Sequence, residues 1–189
     1  MEDQTQKPVT ELNGYSFDEF LCLEDKDEQS LYKAFGLALK PKDWNTGDIL
    51  DWPWSKVKNI QDIINKEMVT FAEMTEVVVL ASGKKVKIIC RTRWDEVFAF
   101  YNFIVESIRR VNDLEKQLSY EPSSREVSAG IERYDVFGWF VTLDRLAGGD
   151  MLKYEAIGNL KYCDVFAKLK LNKVDREFNE RLLKRDTDV

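Results

Sequence analysis

Apolar residues in this chain recur mostly three or four positions apart, which is the spacing of amphipathic helices. The longest such run extends from Arg93 to Leu118 and predicts a helix of roughly 39 Å at about 1.5 Å per residue. Because that length matches the width of a small domain, we predict a mainly α fold, a helical bundle around this one long central helix. Its apolar stripe consists of Trp94, Val97, Tyr101, Ile104, Ile108, Val111 and Leu118.

Capping boxes predict the starts of further helices. In a capping box a Ser or Thr hydroxyl accepts from the third helical amide, and the Glu at that position accepts from the amide of the capping residue. Ser16–Glu19, Thr70–Glu73 and Ser123–Glu126 all fit this pattern. Thr92 with Asp95 is a weaker version before the central helix.

The segment from Met74 to Cys90 has two interpretations. The Thr70 cap, together with Gly83 as a C-terminal cap, favours a helix. The valines at 77–79 and the alternation over Lys85–Cys90 favour a β-hairpin turning at residues 82–84. If the helix forms, residues 86–90 are expected to be a lone short strand or an extended linker. The fold class therefore includes a short β-hairpin or lone strand near residues 76–90 as an alternative.

Elsewhere, turn residues divide the chain into shorter elements. Residues 40–54 are expected to form a structured loop that three tryptophans anchor on the core, with a sugar or nucleotide platform as the alternative. A helix over residues 55–65 follows. In the last third we expect a helix over 134–147, a Gly148-Gly149 turn, and a short helix over 151–158 capped by Asp150.

The final helix, from Tyr162 onward, changes its apolar phase. Tyr162 to Leu169 place their apolar side chains on one face, and the next apolar set lies about half a turn away at ~100° per residue. Either the helix breaks near Asn172, with Asp175 as the third residue of a new helix, or it continues and presents a second apolar face. The alternative is packing against its own domain. The candidate protein interface consists of Leu171, Val174, Phe178 and Leu182.

Composition restricts the chemistry. The 189 residues include no histidine, which excludes Ser-His-Asp and Cys-His catalysis and histidine-containing zinc sites. The formal charge of −6 argues against tight nucleic-acid binding. Cys22, Cys90 and Cys163 are scattered, so we expect small buried hydrophobic residues in a reducing compartment. With a polar N-terminus and no apolar run of ~18 residues, we expect no signal peptide and no membrane span.

Two pairs of carboxylates have the spacing of a magnesium-dependent hydrolase. They are Glu73 with Glu76 and Glu132 with Asp135, which lie far apart in the sequence. Spacing alone is weak evidence for a metal site, and Glu73 has a capping role. The Gly148–Asp150 turn lacks the lysine of a phosphate loop. We therefore expect no catalytic, cofactor-binding or metal-binding residues, and no cofactor.

Residues 132–185 resemble small helical virion and assembly proteins of tailed bacteriophages. The resemblance is carried by Phe137-Gly138-Trp139-Phe140, the stretch from Leu143 to Asp150, Lys153–Ile157, and Leu160 through Phe166 to Glu177-Phe178-x-x-Arg181. It implies a protein without catalytic residues that forms part of a head–tail connector, ring or neck, or acts as an assembly chaperone or adaptor.

These inferences combine into one hypothesis. We expect a single domain over residues 1–189 with flexible ends at 1–14 and 185–189 and a sub-boundary near 119–123. Its function would be that of a non-enzymatic phage structural protein in a homo-oligomer or ring, with other phage structural proteins as partners and no membrane. It would occupy the host cytoplasm during assembly and then the virion. A chaperone absent from the particle and a small carboxylate-dependent nucleotide hydrolase are the alternatives.

Overall fold

The computed structural model describes residues 16–22, 44 and 47–187. Within these ranges the structure contains helices and two isolated β-bridges, and the predicted mainly α fold is confirmed. Short 3-10 segments cover Ile49–Asp51, Lys116–Leu118, Ile131–Phe137 and Met151–Lys153. The α-helices are α1 (Phe17–Leu21), α2 (Trp54–Ile64), α3 (Phe71–Ser82), α4 (Val86–Arg91), α5 (Trp94–Glu115), α6 (Ser124–Ser128), α7 (Phe140–Ala147), α8 (Tyr154–Gly158) and α9 (Tyr162–Thr187).

The chain forms two compact units, which share helices α2 and α5 along the sequence. Among the described residues, unit 1 comprises residues 16–22, 44 and 62–107, and unit 2 comprises residues 47–61 and 108–187. The expected sub-boundary at 119–123 does not coincide with these limits, and a single folding domain stays a prediction. Residues 1–14 lie outside the described part, as do 188–189, whereas 185–187 continue helix α9.

Unit 1 is organised around buried aromatic rings. Phe20 packs edge-on against Phe98 with ring centroids 5.2 Å apart and stacks on Trp94 at 5.7 Å. The amide of Phe17 donates to the carbonyl of Thr92 at 2.9 Å, which ties α1 to the chain just before α5. Trp44 is 8 % exposed and stacks on Phe100, so its predicted role as a core anchor is confirmed.

Unit 2 packs the start of α2 and the end of α5 with the C-terminal third. Trp54 is 1 % exposed and contacts Trp139 edge-on at 5.4 Å. The amide of Trp54 donates to the carbonyl of Leu160, and that of Tyr162 donates to the carbonyl of Trp52. Because Gly158 lies against Ser55, a Cβ at position 158 would approach the Ser55 Cβ to 3.2 Å.

The capping boxes are confirmed at Ser16, Thr70 and Ser123, each with both reciprocal hydrogen bonds. The prediction of a weaker capping box at Thr92 is wrong. The Thr92 hydroxyl donates to the carbonyl of Ile88 at the end of α4, and Asp95 instead accepts from the Arg93 guanidinium at 2.5 Å. Helix α5 begins at Trp94, one residue later than a cap at Thr92 would place it.

The segment after Thr70 is a helix, so the hairpin alternative is wrong. Gly83 ends α3 with φ of 68°, a conformation that only glycine adopts without strain, and its amide donates to Val79. The lone strand expected at 86–90 is also wrong, because these residues form α4. One turn of helix buries Ile89 fully while Val86 and Ile88 stay about half exposed.

Three further expectations need correction. The helix predicted over 134–147 begins only at Phe140, because Gly138 adopts φ of 51° and separates a 3-10 segment from α7. No break occurs near Asn172, since α9 is continuous to Thr187. The cysteines are not buried: Cys22 is exposed, and Cys90 and Cys163 are partly exposed.

The remaining elements agree with prediction. Helix α2 begins one residue before the expected start, and Asp150 caps the segment after the glycine turn by accepting from the amide of Leu152. Trp52, at 9 % exposure, is an anchor as expected. None of the helices that the structure describes is both long enough and apolar enough to cross a lipid bilayer.

Candidate functional site

The second half of α9 presents an apolar stripe to solvent. Leu171, Val174, Phe178 and Leu182 are 53 %, 55 %, 58 % and 43 % exposed. They follow the end of the buried segment, in which Tyr162 is 2 % exposed. These four residues, called the α9 stripe below, are the candidate interface of the sequence analysis.

The opposite face of the same half-helix attaches it to unit 2. The Lys173 ammonium donates to the carbonyls of Gln117 (2.8 Å) and Ser119 (3.3 Å). A cation is favoured there because the carbonyls at a helix C-terminus carry partial negative charge. The Arg176 guanidinium lies over the Tyr120 ring, 4.0 Å from its centroid. The attachment of this half-helix is therefore made by charged side chains.

Helix geometry separates these two faces. At about 100° per residue, the α9 stripe falls within about 80° of arc, and Lys173 and Arg176 lie roughly opposite its centre. In the usual arrangement the apolar face of a helix packs inward and the charged face meets water. The second half of α9 has the reverse arrangement.

Ion pairs along the helix reinforce the charged face. Glu177 pairs with Lys173 at 3.9 Å and with Arg181 at 3.5 Å, and Arg176 pairs with Glu180 at 3.9 Å. Pairs at this spacing stabilise an isolated helix by ~0.2–0.5 kcal/mol each. These ion pairs therefore stabilise the second half of helix α9, where the apolar side chains are about half exposed.

The platform under Arg176 is fixed by the capping box of α6. The Tyr120 hydroxyl donates to Glu126, whose carboxylate also accepts from the Ser123 amide and hydroxyl. These bonds, first from Tyr120 and then from Ser123, lower the pKa of Glu126 to about 2. The Glu126 carboxylate is therefore charged at neutral pH and holds the Tyr120 ring in place for Arg176.

Among the described residues, unit 2 also contains a partly buried polar network of the kind that can carry chemistry. The Glu115 carboxylate accepts from Lys58 (2.6 Å), Gln61 (2.8 Å) and Tyr162 (2.7 Å). Gln61 also donates to Asn112 at 2.6 Å. Burial raises the pKa of Glu115, but the Lys58 charge and the three hydrogen bonds outweigh it, so the pKa lies below its ordinary value.

The same network holds Tyr162 in its neutral form. Burial, followed by the hydrogen bond to Glu115 and that group's charge, raises the pKa of Tyr162 well above its ordinary value. Perturbed pKa values often mark catalytic sites, yet structural networks produce them too. Because Glu115 is charged, Tyr162 is neutral and each is hydrogen-bonded, this arrangement stabilises unit 2.

One of the carboxylates considered for metal binding, Glu73, has structural partners. Glu73 accepts from Thr70 in the capping box and from Lys66 at 2.6 Å, and these bonds, Lys66 first, lower its pKa to about 2. Glu132 and Asp135 lie in the 3-10 segment of unit 2. Among the residues described, no three side chains of the types that bind metals come together.

An open cleft of about 320 Å³ in unit 2 is lined by apolar and charged side chains, including Ile49, Leu114 and Arg110. Its two carboxylates already have local partners. Asp48 accepts from the Leu50 amide, and Asp113 pairs with Lys116 at 2.6 Å. The arrangement offers no built polar site.

No protein-family model, no curated protein and no solved structure matches this chain. The resemblance to phage virion proteins therefore stays a prediction that rests on the sequence of residues 132–185.

The α9 stripe is predicted by the sequence, whereas the Glu115 network is not. A signal was available, because Lys58 and Gln61 lie three positions apart on α2, as do Asn112 and Glu115 on α5. Gln61 is only 6 % exposed, so it is a polar residue within an apolar face. Which polar residues on two helices face each other depends on packing that spacing alone does not determine.

Proposed function

We propose that this chain is a non-enzymatic structural subunit of an oligomeric assembly, of the kind that forms head–tail connectors, rings or necks in tailed phages. The observation that carries the proposal is the reversed second half of α9, which attaches by charged side chains and exposes its apolar stripe. An exposed row of large apolar side chains on a helix is typical of a surface that docks on another protein.

The free energy available from covering the stripe can be estimated. Fully burying one large apolar side chain contributes about 1.5–3 kcal/mol, so burying the exposed half of four contributes roughly 3–6 kcal/mol. Association costs at least as much in lost translational and rotational freedom. One stripe therefore supports a weak contact, which becomes stable when many subunits are held in one assembly.

Other exposed apolar residues of unit 2 suit a subunit with more than one neighbour. Val136, Met151 and Leu152 are 83 %, 75 % and 92 % exposed, in the 3-10 segments before α7 and α8. Single exposed apolar residues are normal, whereas several large ones in neighbouring elements mark interaction surfaces. The negative charge of the chain suits a conduit through which DNA passes without binding.

The hydrolase alternative is less favoured, because the Glu73 carboxylate is already engaged by Thr70 and Lys66. An assembly chaperone would use the same stripe but leave before completion. Mass spectrometry of purified virions distinguishes the two: a structural subunit is present in fixed copy number, and a chaperone is absent.

The α9 stripe is tested by replacing Phe178→Ala together with Leu182→Ala. We expect the unfolding free energy of the monomer to fall by at most roughly 1.5–3 kcal/mol, because only the covered half of each side chain is lost, and we expect assembly into particles to be lost. Leu183→Ala is the matched control, since Leu183 is exposed on the same helix but outside the stripe. A loss of more than about 5 kcal/mol of monomer stability, the sum for one core Phe and one core Leu, would identify the two residues as ordinary core and contradict the proposal.

A further inference from the structure

The shape of the α9 stripe indicates how many helices it fits. Its four residues span a narrow arc of about 80°, and a narrow apolar seam is typical of helices that pair with one other helix. Their spacing of three, four and four positions follows an eleven-residue repeat, for which helices pair almost straight or with a slight right-handed twist. The stripe is therefore suited to a second helix of similar length.

Charges beside the seam indicate the direction of that helix. Lys170, which comes just before Leu171 in the sequence, lies along one edge of the α9 stripe. Asp175, which comes just after Val174, lies along the other edge. In a parallel pair of identical helices these two positions face each other across the seam, where opposite charges set the orientation. In an antiparallel pair the edge carrying Lys170 and Arg181 meets the same edge of the partner, so like charges come together.

Lys170 and Asp175 have no competing partner nearby. Both are exposed, and neither forms an ion pair with another residue in the described part of the chain. They are five positions apart on one helix. Because only side chains three or four positions apart are neighbours on a helix surface, Lys170 and Asp175 of one chain do not pair with each other.

The attachment of α9 leaves room for such a pair. Lys173 and Arg176 attach α9 from the side opposite the stripe. The segment near residues 117–120 to which they attach it would therefore lie on the outer side of the helix pair in each copy. We propose that the occupant of the α9 stripe is a second copy of this chain, paired in parallel so that Lys170 of each copy faces Asp175 of the other. This inference rests on the proposed function in that it takes the stripe to be an intermolecular contact.

A charge-swap cycle on the full-length chain tests the pairing. Lys170→Asp and Asp175→Lys should each weaken self-association at least about fivefold in sedimentation equilibrium, because each replaces two attractive pairs by repulsive ones. The double variant should restore the wild-type dissociation constant. High salt should reduce all three differences. Lys87→Asp, at an exposed position on helix α4 of unit 1, changes the net charge as Lys170→Asp does and should have no effect on self-association.

Three outcomes overturn the inference, and they differ in whether the proposed function also fails. The first outcome is that the double charge variant does not recover the wild-type dissociation constant, while Phe178→Ala with Leu182→Ala still prevents assembly. The α9 stripe is then an intermolecular contact, but the parallel pairing is wrong. If the wild-type chain stays monomeric at millimolar concentration yet is present in virions, a different protein covers the stripe. If it is monomeric and absent from virions, both the inference and the structural role fail.

Discussion

Replacing Glu115 by alanine should destabilise unit 2 substantially, because this one carboxylate serves three donors. Lys58, Gln61 and Tyr162 all lie within 2.8 Å of its oxygens. After the change, the Lys58 ammonium, on a side chain only 14 % exposed, loses its counterion. The hydroxyl of Tyr162, a residue 2 % exposed, loses its acceptor.

The expected loss is about 3 kcal/mol of unfolding free energy. Breaking a buried ion pair by removing one partner costs about 3–5 kcal/mol, and the lower end applies because Lys58 keeps its hydrogen bond to Gln61. The Glu115 side chain is also 24 % exposed, which lets water replace part of the interaction. For a chain of this length the loss corresponds to a decrease of roughly 6–12 °C in Tm.

Urea denaturation of four proteins measures the network. They are the wild type, Glu115→Ala, Lys58→Met and the double variant Lys58→Met with Glu115→Ala. We expect the two changes to be non-additive by about 1–3 kcal/mol, because the double variant leaves no unpaired charge. A loss below about 1 kcal/mol for Glu115→Ala, or additive losses, would refute the reasoning that the pair is desolvated.

The same network predicts a pH dependence with a definite sign. The pKa of Glu115 is lower in the folded chain than in the unfolded chain. Its contribution to stability is therefore fully present above the unfolded pKa of about 4.3 and is lost as the pH falls through the lower folded pKa. The destabilisation caused by Glu115→Ala should accordingly shrink when urea denaturation is repeated below about pH 4.

Two further predictions concern the capping boxes. Thr70→Ala should destabilise by about 1 kcal/mol in urea denaturation, as for a typical N-cap, and an effect near zero would mean that the box contributes little. The folded pKa values of Glu73 and Glu126, about 2 in each case, lie below those of the unfolded chain. Their contribution is present above about pH 4.3 and is lost toward pH 2. Carboxyl NMR titration that gave folded values near 4 would contradict this.

Local signals in the sequence predicted most of the helices, because capping depends on residues only three positions apart. The Thr70 box and Gly83 act together within α3, and they outweighed the β-branched run at 77–79. The central helix was predicted almost to its ends because its apolar stripe is long. Gly138 gives no such signal, because the sequence does not show that this glycine, within an apolar run, adopts a positive φ in the fold.

Features that depend on distant contacts were not predictable in the same way. Helix α4 forms where the sequence alternates like a strand, because one helical turn buries Ile89 in unit 1. The partners of Glu115 come from α2 and α9, which are far from it in the sequence. The change of apolar phase in α9 can be read from the sequence. The choice between a break and a continuous helix cannot, because the contacts of Lys173 and Arg176 near residue 120 are made between segments distant in the sequence.

The magnitudes on the two faces of α9 support the proposed role. The attachment of its second half consists of the Lys173 contacts to two carbonyls and the Arg176 contact to Tyr120. Exposed interactions of these kinds contribute about 0.5–1 kcal/mol each. Covering the stripe would release roughly 3–6 kcal/mol before the cost of association. The exposed half of the stripe therefore leaves unused more burial free energy than these three contacts contribute, and that free energy becomes available only when another helix covers Leu171 to Leu182.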